Sequence, residues 1–312
     1  MRRIICAIWI AAIVAMSLRA WAQPRPWGLN PPALPDATQP ASRPTVKVAA
    51  IQMMSEFGKP ELNRRKAEGL IRQAAKGGAK IVVLPETAIT GYMSYDLQTT
   101  WQANGWELTT GLTGVSPETA AESVPGPSTR QLGKLARELG IYLTVPLVEK
   151  DVKTGRYFNT IVLMSPAGGQ LLHYRKLNPW PYAEKGWATS GDRGLAYADT
   201  EFGRLGLLVC YDINYEPPNL KKAGVDTLLY CIAWVDAADS QWYQSQLPEI
   251  ARRNRLNIIG ANWTVPAKPS WHGYGQSCVL SCEGKALARA AKDIGEEVVF
   301  SELPIPVQTR RP

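Results

Sequence analysis

Short apolar segments that alternate with amphipathic ones constrain the fold of this chain most strongly. The apolar segments end at glycine, proline or a charged residue, as buried strands do. The amphipathic segments repeat apolar residues three and four positions apart, as on one face of a helix. The predicted strands are 46–53, 81–84, 141–148, 157–164, 171–174, 205–209, 227–232, 257–261 and 278–281. The predicted helices are 62–75, 128–139 and 239–256, the last weakened or kinked by Pro248.

This alternation predicts a single α/β domain. The chain has 312 residues, which is enough to bury a sizeable core, and no second domain boundary or internal repeat is visible after residue 46. Residues 91–125 show no regular pattern. Loops of that length often form the wall of a binding site or of an interface, and an ordinary surface insertion is the alternative.

Residues 1–22 have the three parts of a secretory signal peptide. Two arginines follow the initiating methionine, positions 4–16 form an apolar run of 13 residues, and Ala20-Trp21-Ala22 supplies the small residues that precede cleavage. The run is too short for a transmembrane helix, which needs about 20 residues. We therefore expect an exported protein, periplasmic or extracellular, that starts at Gln23 and has no membrane span after cleavage. An uncleaved membrane anchor is the alternative.

A proline-rich linker is expected to follow the signal peptide. Residues 23–45 contain seven of the 24 prolines and no aliphatic pattern, which is typical of a flexible, partly extended tether. The folded domain is then expected to occupy residues 46–312.

Charge and composition exclude several classes of function. The net charge is +8, but three of the 35 basic residues and none of the 27 acidic ones lie in positions 1–22, so the remainder carries +5. That excess is spread along the chain, so no nucleic-acid partner is expected. Two histidines exclude a multi-histidine metal site, and the absence of a C-x-x-C pair excludes a zinc ribbon. Cys278 and Cys282 would lie ~13 Å apart in one strand, too far for a disulfide.

Four residues with useful chemistry each follow a predicted strand. They are Glu86, Glu149, Lys176 and Cys210. Taken singly, each has an ordinary interpretation, as a small buried cysteine or as a surface charge. Their shared position matters more, because open α/β sheets place their functional sites where strands end.

The motifs around these residues resemble the nitrilase, or carbon–nitrogen hydrolase, superfamily, and its amidase-like branch in particular. The glutamate, lysine and cysteine come in the same order as in that superfamily, with separations of 90 and 34 residues. The likeness extends from about residue 46 to 303. The motifs are residues 48–53, Leu84-Pro85-Glu86 followed by Gly91-Tyr92, Tyr174-Arg175-Lys176-Leu177, and residues 206–212.

The resemblance implies a four-layer α-β-β-α sandwich that forms a homodimer or a higher homo-oligomer, with no cofactor and no metal. It implies a catalytic triad of Glu86, Lys176 and Cys210, and a second glutamate, matched by Glu149, that orients Lys176. The side-chain chemistry agrees. Cysteine needs activation because its pKa is ordinarily about 8.5, a glutamate can exchange its proton, and a fixed ammonium stabilises an oxyanion.

The substrate is less constrained than the triad. Asn214 lies four residues after Cys210, where carbamoyl-amino-acid hydrolases carry an arginine for the substrate carboxylate. Tyr92, Tyr211 and Trp234 are candidate substrate-binding residues, since aromatic faces suit a partly apolar acyl group, although core packing explains them equally. Cys210 to Ile213 also resembles, over a short stretch, secreted members that hydrolyse pantetheine or biotinyl amides.

The function expected from these features is hydrolysis of a linear, non-peptide carboxamide through a thioester on Cys210. The products are a carboxylic acid and ammonia or an amine. Nitrile hydrolysis, N-carbamoyl amide hydrolysis and acyl transfer to an amine are alternatives that the same triad could catalyse. A non-catalytic binding or scaffold protein is the alternative of a different class.

Overall fold

The computed structural model describes residues 44–92, 102–103, 106–107, 116–181, 184, 186–234, 241–264 and 274–306. The predicted signal peptide and most of the predicted linker lie outside these residues. So does most of the irregular stretch 91–125. The first strand begins at Thr45, one residue before the expected start of the domain.

Most of the described residues belong to strands and helices. The strands, in chain order, are β1 (Thr45–Gln52), β2 (Ile81–Val83), β3 (Gln102–Ala103), β4 (Trp106–Glu107), β5 (Tyr142–Lys150), β6 (Tyr157–Met164), β7 (Gln170–Arg175), β8 (Tyr197–Thr200), β9 (Gly203–Val209), β10 (Thr227–Ile232), β11 (Asn257–Asn262), β12 (Cys278–Leu280), β13 (Ala286–Arg289) and β14 (Glu297–Pro304). The α-helices are α1 (Pro60–Lys76), α2 (Pro117–Ala120), α3 (Pro127–Leu139), α4 (Pro217–Lys222) and α5 (Leu247–Asn254).

Two six-stranded mixed sheets form the centre of the domain. The first has the order β14-β1-β2-β5-β6-β7 and the second the order β13-β12-β11-β10-β9-β8. Strands β1, β2 and β5 are parallel neighbours in the first sheet, and β9, β10 and β11 are parallel neighbours in the second. The remaining pairs are antiparallel, so both sheets have a parallel centre and antiparallel edges.

Side-chain alternation along β1 explains how the layers stack. Val48 and Ala50 belong to a core that also contains Leu207 and Leu229 of the second sheet, so the two sheets pack face to face. Ala49 and Ile51 point to the opposite side, into a second core formed with α1 and α3. Helices α4 and α5 cover the outer face of the second sheet. The predicted four-layer α-β-β-α sandwich is therefore confirmed.

The predicted helix 239–256 is shorter than expected. A π-helical turn spans Trp242–Gln246, and α5 follows it from Leu247 with Pro248 in its first turn. Proline is tolerated there because the first N–H groups of a helix have no intrahelical acceptor. The proline therefore marks a helix start and not a kink.

Two further features of the described residues bear on the sequence predictions. No helix among the described residues is long and apolar enough to cross a membrane. Cys210, Cys231, Cys278 and Cys282 are all free thiols.

A close backbone approach beside β7 gives a stability prediction. A Cβ atom on Gly191 would lie 2.1 Å from the carbonyl oxygen of Arg175, so Gly191→Ala must displace the backbone next to Lys176. We expect the free energy of unfolding to fall by about 1–3 kcal/mol in urea titrations. Gly69→Ala is the control. The position is exposed in α1, and a Cβ atom there would meet no neighbouring group within 4 Å, so the substitution should raise the free energy of unfolding by about 0.5–1 kcal/mol. Equal effects of the two substitutions would contradict this account.

Candidate active site

The structure brings Glu86, Lys176 and Cys210 together at one end of the two facing sheets. Glu86 follows β2, Lys176 follows β7 and Cys210 follows β9. The Lys176 ammonium donates a hydrogen bond of 2.9 Å to Oε1 of Glu86, and both side chains are fully buried. The backbone N–H of Glu86 also donates to the carbonyl of Ile232, at the end of β10, which joins the two sheets at this edge.

Glu184 is a second carboxylate on the same ammonium, and the sequence analysis missed it. Its Oε2 accepts a hydrogen bond of 2.8 Å from Lys176 Nζ and another from the Trp180 backbone N–H. Glu184 is completely buried. It lies in the irregular segment after Lys176, where no strand or helix periodicity marks a residue as inward-facing.

Glu149 does not occupy the position expected from the sequence. Its Oε2 accepts hydrogen bonds from Thr160 Oγ1 at 2.7 Å and from Arg175 Nε at 3.1 Å, and it lies 2.8 Å from His173 Nε2. Alternate side chains of β7 point to opposite faces of the sheet, so a carboxylate that binds Arg175 lies on the other face from Lys176. The expected role of Glu149 in orienting Lys176 is therefore wrong, and Glu184 takes that position.

Arg175 is the centre of the charge cluster that contains Glu149. Its guanidinium donates to Glu149, to Asp151 at 2.7 Å and to Asp192 at 2.9 Å, and it stacks 3.9 Å from the ring centre of Phe158. The Arg175 side chain is 3% exposed. Because buried charges need complete pairing, this cluster fixes the strand that leads into Lys176.

Cys210 lies at the start of a tight turn. It has φ = +37° and begins the 3₁₀ turn Cys210–Asn214. A positive φ is uncommon for a residue with a side chain and is often found at functional sites. The Cys210 carbonyl accepts a hydrogen bond of 2.9 Å from the Tyr230 hydroxyl, which holds the turn against β10.

Asp212 connects the nucleophile turn to the lysine segment. Its carboxylate accepts hydrogen bonds of 2.7 Å from the Tyr174 hydroxyl and of 2.8 Å from the Asn178 backbone N–H. Burial raises the pKa of Asp212 to about 6, although Lys176 and these hydrogen bonds oppose the rise. The residues on both sides of Lys176 are thereby fixed relative to Cys210.

The three converging side chains have distinct electrostatic states. Burial and the nearby Glu86 carboxylate raise the pKa of the Cys210 thiol well above its usual range, and Lys176 only partly opposes this. Burial by itself would lower the pKa of Lys176, but Glu184 and Glu86 outweigh it and raise that pKa, so the ammonium stays charged. Burial also raises the pKa of Glu86, against the effect of Lys176. The resting site thus contains a neutral thiol beside a carboxylate that can accept its proton.

One oxygen of Glu86 is available for proton exchange. Oε1 accepts hydrogen bonds from Lys176 and Asn159. Among the residues that the structure describes, no nitrogen or oxygen atom donates a hydrogen bond to the buried Oε2. Burial raises the pKa of Glu86, and Lys176 and the Cys210 thiol oppose that rise. The catalytic roles of Glu86, Lys176 and Cys210 stay predictions that this geometry supports.

The three candidate substrate-binding residues have different surroundings. Tyr92 is buried against Trp263, with ring centres 6.2 Å apart. Burial raises its pKa, and so do the charges of Glu184 and Glu86. Substrate contact by each of the three stays a prediction. The other two make the following contacts: Trp234 stacks on Trp242 at 3.9 Å, and Tyr211 packs edge-on against the exposed Tyr215 at 5.6 Å.

A metal-ligand set is not found among the described residues. No group of three or more histidine, cysteine, aspartate or glutamate side chains in this part of the chain could hold a metal ion.

The cluster around Glu149 gives a prediction on acid stability. Burial would raise the pKa of Glu149, but hydrogen bonds from His173 and Arg175 outweigh it and lower the pKa from 4.5 to about 2. A lowered folded-state pKa stabilises the protein above pH 4.5, and this contribution disappears as the pH falls towards 2. Glu149→Gln should therefore lower the free energy of unfolding by up to about 3 kcal/mol at pH 7, with a difference from wild type that shrinks below pH ~5.

Urea titrations at several pH values measure this difference. Glu118→Gln, at an exposed position in α2, is the control and should change the free energy of unfolding at pH 7 by less than about 0.5 kcal/mol. A deficit of Glu149→Gln that stays constant down to pH ~3 would show that the carboxylate charge does not contribute.

Comparisons with known proteins agree with the fold. The model of the family described as carbon-nitrogen hydrolase matches residues 47–308. A nitrilase from Pyrococcus abyssi is 33% identical over 261 residues, which cover 83% of this chain and 89% of the relative. Omega-amidase NIT2 from Bos taurus is 29% identical over 273 residues, which cover 83% and 88%.

Solved structures show the same architecture. An amidase of the nitrilase superfamily from Nesterenkonia AN1 superposes with a TM-score of 0.67 at 21% identity, over 83% of this chain and 90% of the other. Nit3 from Saccharomyces cerevisiae, also of the nitrilase superfamily, has a TM-score of 0.64 at 24% identity, over 83% and 90%. The chain therefore belongs to the carbon–nitrogen hydrolase family of the nitrilase superfamily and is an enzyme that hydrolyses carbon–nitrogen bonds.

Proposed function

We propose that this enzyme hydrolyses a linear, non-peptide carboxamide through a thioester on Cys210, to give a carboxylic acid and ammonia or an amine. The observation that carries the proposal is the buried Lys176 ammonium, held by Glu86 and Glu184 beside a neutral thiol. This arrangement provides a nucleophile, a proton acceptor and a fixed positive charge within one water-poor site.

In the acylation step, Glu86 Oε2 accepts the proton of the Cys210 thiol while Sγ attacks the carbonyl carbon of the amide. The carbonyl π electrons move to oxygen, and the resulting oxyanion is stabilised by Lys176 and by the backbone N–H of Tyr211. Glu86 then donates its proton to the amide nitrogen. The carbon–nitrogen bond breaks, ammonia or an amine leaves, and the acyl group remains on Sγ as a thioester.

In the deacylation step, Glu86 acts as a base towards water. It accepts a proton from the water molecule as the oxygen attacks the thioester carbonyl, and Lys176 stabilises the second oxyanion. The carbon–sulfur bond breaks, Sγ recovers the proton from Glu86 and the carboxylic acid leaves. Glu86 carries one proton in each step, first from the Cys210 thiol to the leaving amine and then from water to Sγ, so the cycle closes with residues of this chain and water alone.

Amide hydrolysis is favoured over the alternatives by the relatives and by one position in the turn. Several of the similar proteins are omega-amidases, among them those of Bos taurus and Homo sapiens, and the Nesterenkonia protein is an amidase. Nitrile hydrolysis is the second candidate, because the relative from Pyrococcus abyssi is a nitrilase. An N-carbamoyl amino acid is disfavoured, because the exposed Asn214 donates to the Tyr211 carbonyl and offers no charge to a substrate carboxylate.

Two properties beyond the reaction belong to the same proposal. The enzyme acts outside the cytoplasm, in the periplasm or extracellular space, because residues 1–22 have the pattern of a signal peptide. It acts as a homodimer or higher homo-oligomer, as the family resemblance implies, with helices packed across the interface.

The thioester route predicts an acyl adduct on wild-type enzyme alone. The mature enzyme and Cys210→Ala are each mixed with matched amide, nitrile and N-carbamoyl compounds that share one acyl group, and intact masses are recorded. We expect an acyl adduct and release of ammonia or amine only with wild type, and amide turnover at least about tenfold above nitrile turnover. Faster nitrile turnover would favour the second candidate. Turnover by Cys210→Ala would contradict the thioester, and a folded wild type that is inert towards a broad panel would favour a scaffold.

Export predicts a defined new N-terminus. When the full chain is produced in a Gram-negative host, the periplasmic fraction should contain protein that starts at Gln23, as read by N-terminal sequencing. Replacing the apolar run 4–16 with alternating serine and asparagine should leave the protein in the cytoplasm. Full-length wild type that remains in the cytoplasm or the membrane would contradict cleavage and export.

A further inference from the structure

Asn159 contacts both carboxylates that hold Lys176. It lies in β6 and is 1% exposed. Its Nδ2 donates a hydrogen bond of 2.7 Å to Oε1 of Glu86 and another to Oε1 of Glu184. Its backbone carbonyl accepts a hydrogen bond of 2.8 Å from the backbone N–H of Lys176. One residue therefore contacts the ammonium-bearing residue and both of its partners.

The hydrogens of the Asn159 amide and the Lys176 ammonium are distributed over the two carboxylates in a specific way. An amide nitrogen has two hydrogens, and both are used by the two carboxylates. The ammonium of Lys176 has three hydrogens, of which two are used by Glu86 and Glu184, so one is left for the reacting oxygen. Oε1 of Glu86 accepts from both donors, whereas Oε2 accepts from neither. Proton exchange is thereby restricted to Oε2.

The electrostatic balance explains why a neutral donor suits this position. Two buried carboxylates beside one ammonium repel each other and have an unbalanced negative charge. A second cation would compensate that charge, but it would also hold Glu86 as a carboxylate and weaken it as a base. The Asn159 amide stabilises both carboxylates through hydrogen bonds without adding a charge.

The orientation of the Asn159 amide is also determined by its surroundings. Reversing the amide would place Oδ1 against two carboxylate oxygens, which is repulsive. In the observed orientation, Oδ1 is buried and has no hydrogen-bond partner among the described residues. An unsatisfied buried oxygen is costly, so the bonds to Glu86 and Glu184 must outweigh that cost.

From these contacts we propose that Asn159 is a positioning residue, which holds Glu86 and Glu184 on either side of Lys176 and leaves Oε2 of Glu86 to exchange the proton with Cys210. This inference rests on the proposed role of Glu86 as the base. Its Nδ2 donates to Oε1 of Glu86 and Oε1 of Glu184 and not to Oε2 of Glu86, so it acts through the two carboxylates.

The test measures the reactivity of Cys210 without requiring the natural substrate. Iodoacetamide alkylation of Cys210 is followed by mass spectrometry from pH 4 to 10 in wild type, Asn159→Leu and Asn159→Asp. Reactivity should be lost in acid as the Glu86–Cys210 pair takes up its proton. Asn159→Leu removes a donor to the Glu86 carboxylate, so the midpoint of this loss should move up by about one pH unit.

Asn159→Asp distinguishes positioning from packing. Aspartate keeps the shape of asparagine but replaces the donating Nδ2 with an acceptor beside two carboxylates. We expect it to react more slowly than Asn159→Leu at neutral pH, with a midpoint above that of Asn159→Leu, because a third carboxylate disfavours the ionised form of the Glu86–Cys210 pair. With an amide that wild type turns over, kcat of both variants should fall roughly 100-fold while KM changes little.

Thr160→Val is the matched control. Thr160 is the next residue in β6, is equally buried and donates to Glu149 on the other face of the sheet. It should lower stability and leave the alkylation midpoint unchanged. Wild-type midpoints in both Asn159 variants, or a midpoint shift in Thr160→Val as large as in Asn159→Leu, would overturn the proposal.

Glu86→Gln separates a failure of this inference from a failure of the proposed function. If Glu86→Gln loses the acid transition of wild type while folded Asn159 variants keep it unchanged, the positioning role fails and the base role stands. If Glu86→Gln retains the wild-type transition, Glu86 is not the base and both proposals fail. Thermal unfolding of each variant establishes that folded protein is compared.

Discussion

A single ammonium buried between two carboxylates is the interaction on which the rest of the site depends. Removing Lys176 from water is costly, and only close carboxylates and complete hydrogen bonding compensate that cost. Glu86 comes from the end of β2 and Glu184 from the segment after β7, so pairing brings separate parts of the chain to one point. Without the ammonium, a carboxyl group buried at this depth would favour its neutral form. Charge pairing thus determines the geometry of the site within the scaffold that hydrophobic packing provides.

Three consecutive residues connect this ammonium to the rest of the domain. Tyr174 donates to Asp212 in the nucleophile turn, Arg175 binds Glu149 on the other face of the sheet, and Lys176 binds the two site carboxylates. Because successive side chains of a strand point to opposite faces, one short segment anchors to both layers around it. The ammonium position is therefore fixed from both sides of the sheet. A displacement of the Cys210 turn should reach Lys176 through the Asp212–Tyr174 hydrogen bond, and one at Arg175 through the adjoining backbone.

The sequence predicted the scaffold and the three converging residues because both leave local patterns. Apolar runs mark the strands, and Glu86, Lys176 and Cys210 each follow a strand. Local sequence patterns did not predict the site residues whose placement depends on which face of a sheet they occupy or on the path of an irregular segment. Glu149 also follows the predicted strand 141–148, but spacing along the chain does not show which face it shares with Lys176. Glu184 lies in no regular element, and its burial follows from pairing with Lys176. The edge strands β8, β13 and β14 were also missed. An edge strand pairs with only one neighbour, so its sequence need not show the long apolar run that marks a central strand.

Charge conservation explains why the proposed reaction suits so dry a site. With both carboxyl groups ionised, the ammonium, two carboxylates and a neutral thiol carry a net charge of −1. During the attack, Glu86 becomes neutral as it takes the thiol proton, and the negative charge appears on the substrate oxygen beside Lys176. The net charge is unchanged, so the low-dielectric interior does not oppose the step as it would oppose creating a new charge. Only the location of the charge moves, from one partner of the ammonium to another. Fixed donors that already point at that location need no reorganisation, and this favours a rigid, buried lysine over a flexible or exposed one.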